Sequence, residues 1–535
     1  MHEASAPVPS SVSPSTPVVR DGAIHGVCPV DLRPLPPIPV ASDDDVRLAI
    51  ERARAAHHAW AARPFAERVE PLKRAAKAML DGRHEVIGLM RDEVGKLEVD
   101  ALMSEVLGPL DQVSSWAAVV GPAVARQRVG LNPLNFPKKK AWIDRVPRGV
   151  IGIVSPWNYP FATLYRTVLP ALLCGNGVVL KPSEHATRIA QWFCAKLQAE
   201  LPPGLLTVVP GGRETAIALI EGGIDACVFT GSVTAGRDVS KRCGEKMIPV
   251  SLELGGKDAA IVLADCDMDR TLAGITHWTL HNVGQSCGAI EIAYVDTRIA
   301  DEFVKRLARA WQNLKVGPGS PGEVDVSPVC NPKQLALIES HVKDAVGKGA
   351  SLVCGGRRLG EGLWYLPTLL DHCTDAMEVV TDETFGPVLA IVRVDGAADA
   401  IRRVNASRYG LGASIWTHDH ARAMRLADQI DVGVVTINNH SMTGAIAALP
   451  WSGTRDTGTG VANSELALHT YLRPKTILLD ANEAPELFWM PFDRTLWQLG
   501  NLLSEAQIPK IGLGLAKIPF FIKERVDTVR RFFQS

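Results

Sequence analysis

Apolar residues recur at helical spacing over the first part of the chain and then give way to short β-branched runs. Ser42, followed by Asp43, Asp44 and Asp45, reads as an N-cap with acids in the first turn, and Val46, Ile50 and Ala53 follow on one face. Helical patterning continues to about residue 125, broken at Arg63-Pro64 and near Gly95. From Arg148 the character changes. Val150–Val154, Val178–Leu180, Leu206–Val209 and Ala226–Phe229 read as buried strands, with Ala162–Cys174, Thr187–Leu201, Arg213–Glu221 and Thr234–Cys243 as the helices between them. This alternation predicts βαβ units and a parallel sheet with helices on both faces. A second α/β region covers 253–450, with apolar runs at Ala260–Leu263, Ile292–Val295, Val388–Val394, Ala413–Trp416 and Val432–Ile437.

The two ends of the chain stand apart. Residues 1–29 lack the basic region and apolar run of a secretory signal, and their Pro/Ser-rich start predicts a disordered leader. Residues 480–535 form a tail rich in Trp, Phe and Leu, in which Ile522, Val526, Val529 and Phe533 fall on one helical face near Lys523, Arg525, Arg530 and Arg531. A basic amphipathic helix can lie on a membrane surface. Packing against its own domain or a neighbouring subunit is the reading favoured here, because such a stripe is usually core. No segment approaches the ~20 apolar residues of a membrane span, and a cytoplasmic location is the default expectation.

Composition narrows the classes further. The chain has 535 residues with 57 Lys+Arg against 58 Asp+Glu, a balance that argues against a nucleic-acid-coating protein. At roughly 100–200 residues per domain it should hold two to four domains. None of its 10 cysteines forms a CxxC pair or a zinc-type cluster, so no metal site is expected.

Open parallel sheets bind ligands beyond the carboxyl ends of their strands. Those ends carry Ser155-Pro-Trp-Asn158, Lys181-Pro-Ser-Glu184, Pro210-Gly-Gly212 and Thr230-Gly-Ser232. Gly231 opens a strand-to-helix turn whose N–H groups could hold a phosphate. Lys181 and Glu184 could bond a nucleotide ribose. Gly284-Gln-Ser-Cys287 places a thiol in a small-residue turn beside an expected helix start, where a thiol becomes a nucleophile. Glu253-Leu-Gly-Gly-Lys257 and Glu383-Thr-Phe-Gly-Pro387 each set a carboxylate beside a turn, and a carboxylate can act as general base on a water.

These motifs in this order, together with Pro450-Trp-Ser-Gly453 and the position of Cys287 34 residues after Glu253, resemble the aldehyde dehydrogenase superfamily over about residues 30–480. The resemblance implies an α/β fold of two doubly wound parallel-sheet domains plus a small bridging strand pair. The dinucleotide-binding domain would take 30–130 and 147–252, the catalytic domain 253–450, and the bridging strands 131–146 and 470–479. It implies a homodimer or homotetramer and a small aldehyde as substrate. Cys287 then matches the nucleophile, Asn158 the oxyanion donor and Glu253 the base for the hydrolytic water. Trp157, Lys181, Ser183, Glu184, Gly211, Gly231, Ser232, Glu383 and Phe385 match cofactor contacts. A carboxylate at Glu184 favours NAD over NADP, although Lys181 could pair with a 2′-phosphate.

Two positions depart from the family pattern: Ile292 stands where many members carry Arg, and Arg455 where the family often has Lys. Arg166, eight residues after Asn158, matches an Arg that holds the carboxylate of succinic semialdehyde in similar proteins. A surface or structural Arg is the alternative. Two other functions stay in view, a CoA-acylating dehydrogenase, against which Glu253 speaks, and a non-catalytic relative serving as a binding protein.

Overall fold

The computed structural model describes residues 18–107, 111–133, 135–506 and 518–534. They fall into two compact units, Met1–Val124 with Val146–Arg473, and Ala125–Arg145 with Pro474–Ser535.

The larger unit starts from the predicted cap. Ser42 closes helix α1 (Asp43–Ala61) with a reciprocal box: its hydroxyl accepts from the Asp45 N–H at 3.2 Å and the Asp45 carboxylate takes the Ser42 N–H at 2.9 Å. Val46, Ala49, Ile50 and Ala53 of α1 are buried against the first sheet. That sheet has five parallel strands, β1 (Val150–Val154), β2 (Gly177–Lys181), β3 (Leu206–Val208), β4 (Ala226–Thr230) and β5 (Val250–Glu253), in the order β5-β4-β1-β2-β3. Gly177 lets α1 settle close, since a Cβ there would stand 2.7 Å from the Ala53 carbonyl oxygen. The strand order reverses between β1 and β4, which leaves a crevice beyond Val154 and Thr230. Helix α2 (Ala162–Leu173) follows β1 and helix α3 (Val233–Glu245) follows β4.

The second sheet has seven strands, β6 (Asp258–Val262), β7 (Ile290–Asp296), β8 (Ser351–Cys354), β9 (Thr368–Asp371), β10 (Val388–Val394), β11 (Gly412–Trp416) and β12 (Val434–Ile437), in the order β8-β9-β10-β7-β6-β11-β12. Helix α4 (Met268–Leu280) joins β6 to the turn before β7. The sheet is not wholly parallel, because edge strand β8 runs antiparallel to β9. Neither of these strands was predicted, as four residues are too few to show a period.

The expected leader is too long. Residues 1–17 lie outside the described part, but Val19–Arg20, Ala23–Ile24 and Ile38–Pro39 form a small antiparallel sheet. Asp21 and Gly22 turn its hairpin with φ of 51° and 70°, the left-handed pair that a two-residue Asp-Gly loop adopts.

The smaller unit carries a sheet in place of the expected strand pair. Gln127–Val129, Lys139–Pro147 and Leu472–Asp480 make three strands with Lys139–Pro147 in the middle. Helices α5 (Arg494–Ala506) and α6 (Ile518–Gln534) follow. The predicted tail stripe packs inside this unit: Val529 is buried and Ile522 and Val526 half-buried, while the Phe533 side chain lies outside the described ones. Arg525, called part of the basic face, is fully buried instead. Its guanidinium donates to the carbonyls of Leu487, Trp489 and Pro491 and to the Asp493 carboxylate. Among the described residues no helix is long and apolar enough to cross a membrane. Arg525→Met strands those acceptors in an apolar setting and should cost about 3 kcal/mol or more. Urea unfolding followed by tryptophan fluorescence checks this, with the variant's first transition expected at lower urea.

Candidate active site

The candidate site lies where the carboxyl ends of β1, β4 and β5 face the amino ends of β6, β7 and β10. Glu253 closes β5, and the chain runs through Gly255 and Gly256 straight into β6. A Cβ on Gly255 would stand 2.3 Å from a Glu383 carboxylate oxygen, and one on Gly256 would stand 2.4 Å from the Cys287 carbonyl oxygen. The Gly256 N–H donates to Glu383 at 2.9 Å. Three motifs far apart in sequence thus meet on one bare stretch of backbone.

The loop before Cys287 is strained. Asn282, Val283 and Gly284 take φ of 51°, 53° and 74°, a left-handed run that is costly for a β-branched valine. Side-chain amides hold it there. Asn282 donates to the Asn158 carbonyl at 2.8 Å and to the Gln285 carbonyl at 3.1 Å, and the Asn158 amide reaches the same Gln285 oxygen at 3.1 Å. The Gln285 side chain accepts from the Cys330 N–H at 2.9 Å. Asn158 and Cys287 are therefore fixed to one loop. No described acceptor takes the Cys287 backbone N–H.

One expectation fails at the thiol. Cys287 stands between a short turn (His281–Gly284) and strand β7, with no helix start beside it. Burial pushes the thiol up to about 12, the carboxylates of Asp258, Glu383 and Glu253 add to this, and Arg166 opposes it. Burial likewise raises Glu253 to about 8 against a backbone hydrogen bond from Ala462 and the charge of Arg166. One Glu253 oxygen is buried with no hydrogen-bond partner, a free acceptor inside the site. Glu383 also rises to about 8, by burial and by the like charge of Glu291.

The segment from Glu383 to Phe385 is held by a buried ion pair that the sequence reading missed. Lys257 pairs with Glu291 and reaches the Thr384 hydroxyl at 3.2 Å, while Glu291 accepts the N–H groups of Thr384 at 2.8 Å and Phe385 at 2.7 Å. The available signal was a glutamate inside the buried run of β7. Phe385, at φ 51°, meets Trp157 edge-on with ring centroids 5.5 Å apart.

The other predicted residues line the crevice ends. Lys181 closes β2, buried, with its ammonium 3.9 Å from the Glu184 carboxylate; Ser183 is buried between them. Burial lowers Lys181, and its charge in turn holds Glu184 below the usual carboxylate range against burial. Ser232 caps α3 through the Ala235 N–H at 3.4 Å, and the Gly231 N–H donates to the Glu253 carbonyl at 3.1 Å. Gly211 lies beyond edge strand β3, where a Cβ would stand 1.9 Å from the Thr215 hydroxyl.

Arg166 sits on α2, half-buried, and makes no hydrogen bond or ion pair to a described residue. Its charge is felt by Cys287 and Glu253. Both departures from the family pattern are structural: Ile292 is core in β7, and Arg455 donates to the carbonyls of Asn405 and Asp431 at 2.6 Å each.

A second group was also missed. The Tyr159 hydroxyl lies 2.9 Å from His281 Nδ1, and His281 Nε2 lies 2.9 Å from the Asp100 carboxylate. His281, Asn282 and Asp100 line a cavity of about 800 Å³, with Leu97, Leu272 and His277 among its other walls. A helix-spaced histidine next to the thiol motif was the only local hint.

Lys257→Met leaves Glu291 buried without its counter-ion and should cost about 3–5 kcal/mol. Thermal unfolding should show the loss, and an unchanged midpoint would contradict the role given to this pair.

The aldehyde dehydrogenase family matches the chain over residues 19–477. The 4,4'-diapolycopene aldehyde oxidase of Methylomonas sp is 34% identical over 471 residues, 88% of each chain. "Putative succinate-semialdehyde dehydrogenase (NADP(+)) 2" of Mycobacterium ulcerans (strain Agy99) is 33% identical over 473 residues, 87% of this chain and 90% of that one. Among solved structures, Mycobacterium tuberculosis aldehyde dehydrogenase complexed with NAD+ superposes with a TM-score of 0.81 at 30% identity, over 86% of this chain and 96% of that one. An aldehyde dehydrogenase from Bacillus cereus, in its NAD+ complex, gives 0.82 at 27% identity over 86% and 94%.

Proposed function

The chain belongs to the aldehyde dehydrogenase family, and on that footing we propose that it oxidises an aldehyde to its carboxylic acid with NAD(P) as acceptor, through Cys287. The convergence of Cys287, Asn158 and Glu253 around Gly255 and Gly256 carries this reading.

Cys287 attacks the carbonyl carbon as thiolate, giving a thiohemiacetal. The Asn158 amide and the Cys287 N–H stabilise the oxyanion. Oxidation leaves a thioester on Cys287. Glu253 then takes a proton from the water that hydrolyses it, using its unpartnered oxygen. This free base supports hydrolysis over transfer to CoA, and an intact thiol, amide and carboxylate support catalysis over a binding role.

The crevice suits a dinucleotide. Lys181 and Glu184 offer the cation and carboxylate that a ribose diol needs, Ser183 borders them, and Gly231 and Ser232 present the N-terminus of α3 to a pyrophosphate. Glu383, Phe385 and Trp157 would hold the nicotinamide end, and Gly211 would border the adenosine end. When bound, the cofactor supplies the hydride acceptor. Glu184 favours NAD, whereas the Mycobacterium ulcerans relative is named for NADP(+).

Two substrate readings follow. Arg166, charged and without a hydrogen-bond or ion-pair partner among the described residues, suits the carboxylate of a semialdehyde, in line with the name of that relative. The cavity of about 800 Å³ beside Asn282 suits a larger apolar aldehyde, in line with the name of the Methylomonas relative. The exposed nine-residue edge strand Leu472–Asp480 supports a homodimer or homotetramer joined there, because an open edge tends to pair.

NADH or NADPH formation across succinic semialdehyde, a medium-chain aldehyde and benzaldehyde tests the reading. Cys287→Ala should abolish it with every substrate, and retained activity would discard the mechanism. Arg166→Ala should raise KM for the semialdehyde at least tenfold more than for neutral aldehydes if it binds a carboxylate, a loss of about 1.4 kcal/mol. Glu253 is neutral below about 8 and charged above it. Thioester hydrolysis should therefore accelerate as pH rises through that value, and Glu253→Gln should remove the rise.

A further inference from the structure

We propose that the smaller unit docks on a bilayer of anionic lipid through an aromatic loop, residues 488–492, together with Trp497. The proposal depends neither on the catalytic reading nor on the edge strand Leu472–Asp480. The stripe of Ile522, Val526 and Val529 takes no part in it, because those side chains pack inside the unit.

Exposed aromatic rings are confined to this unit. Among the described residues every exposed Phe and Trp, namely Phe136, Phe488, Trp489, Phe492, Trp497 and Phe532, belongs to it. Phe488, Trp489, Met490, Phe492 and Trp497 are each at least 57% exposed, and they fall close together in sequence. Single exposed apolar side chains are ordinary, but a dense group of large ones marks a contact surface. The unit already has an interior of its own. Leu499 of α5 and Val529 of α6 are buried where these helices pack together, so the outer rings need another partner.

The loop is held in shape from within. The buried Arg525 guanidinium donates to the carbonyls of Leu487, Trp489 and Pro491, which draws those oxygens inward while the side chains between and beside them stay exposed. Asp493 closes the loop. One of its oxygens accepts from Arg525 at 3.2 Å and the other from the Leu496 N–H at 2.8 Å, which caps α5. Carbonyls satisfied inside the unit cost little to bring into a headgroup layer, where water is scarce. A loop ordered beforehand also loses little conformational freedom on docking.

Charge selects the occupant. The whole chain is near neutral at -1, whereas residues 125–145 and 474–535 hold 14 Lys and Arg against 8 Asp and Glu. Several of those acids are already paired: Asp144 with Arg126, Asp480 and Glu486 with Lys139, and Asp493 with Arg525. Arg494 beside the loop and Lys523, Arg530 and Arg531 on α6 are exposed, and the exposed acids Glu483 and Glu524 are fewer. A second copy would set the same positive excess against itself. An anionic bilayer takes both the cations and the rings. Trp suits the membrane–water boundary in particular, because its ring is buried there while the indole N–H stays wet. With no spanning helix among the described residues, the contact is one of lying on the surface.

The test is sedimentation of the full chain with lipid vesicles, without aldehyde or cofactor. Binding to equimolar phosphatidylglycerol and phosphatidylcholine should exceed binding to phosphatidylcholine alone by about tenfold or more, and should fall as salt rises from about 0.1 M to about 0.5 M. Trp489→Ser, Phe492→Ser and Trp497→Ser combined should weaken it by about tenfold or more with circular dichroism unchanged. Met103→Ser, at an exposed apolar site of the larger unit, should leave it unchanged. If the triple variant fails to fold, quenching decides. Brominated acyl chains should quench the tryptophan fluorescence of the parent chain, and Trp489→Phe with Trp497→Phe should remove most of that quenching. No vesicle binding by the parent chain, or equal binding by the triple variant, overturns the proposal. So does a lower oligomer mass in the triple variant without vesicle binding by the parent, which would assign the rings to a second copy.

Discussion

Gly255 and Gly256 separate the first sheet from the second, and both the Cys287 loop and the Glu383 segment rest on them. A Cβ on either would fall well inside van der Waals contact of the Glu383 carboxylate or the Cys287 carbonyl. The close approach brings one backbone N–H onto Glu383 and places the thiol loop over the end of β5. The amides of Asn158, Asn282 and Gln285 then hold the left-handed turn that the approach requires. Bare backbone makes room, and side-chain hydrogen bonds fix what fills it.

The same closeness sets the electrostatics. Asp258, Glu383 and Glu253 crowd around one thiol, Glu291 adds its like charge to Glu383, and burial raises Glu253, Glu383 and Cys287 together. Each of these three groups is therefore disfavoured as an anion. Cations in the surroundings are divided accordingly. Lys257 is committed to Glu291 and Lys96 to Glu105, while Arg166 keeps its charge for whatever enters. Asp100, His281 and Tyr159 form a separate hydrogen-bonded chain, with Asp100 and His281 lining the cavity.

Legibility followed the range of the interaction. The Ser42 cap, four of the five strands of the first sheet and the Arg213–Glu221 helix are local patterns and stand as read. Misreadings share a cause. The Asp21-Gly22 hairpin depends on a third strand at Ile38, and β8 on pairing with β9, neither of which a short window can show. Arg525 looked like part of a basic surface because its acceptors lie some 35 residues earlier, at Leu487 to Asp493. Cys287 looked like a helix-start thiol because small residues precede it, whereas the chain enters a strand.

Residue chemistry was thus readable in one dimension: which thiol, which amide and which carboxylates stand in motif order, and which strands carry them to one sheet end. Their working state was not. Burial, like-charge crowding and the pairing of Lys257 with Glu291 arise only when segments 34 or more residues apart in the chain are pressed together, and these decide which group holds a proton. The fold also chose Tyr159 and His281, silent in the sequence, because a hydrogen bond between them exists only once α4 is set against the loop after β1.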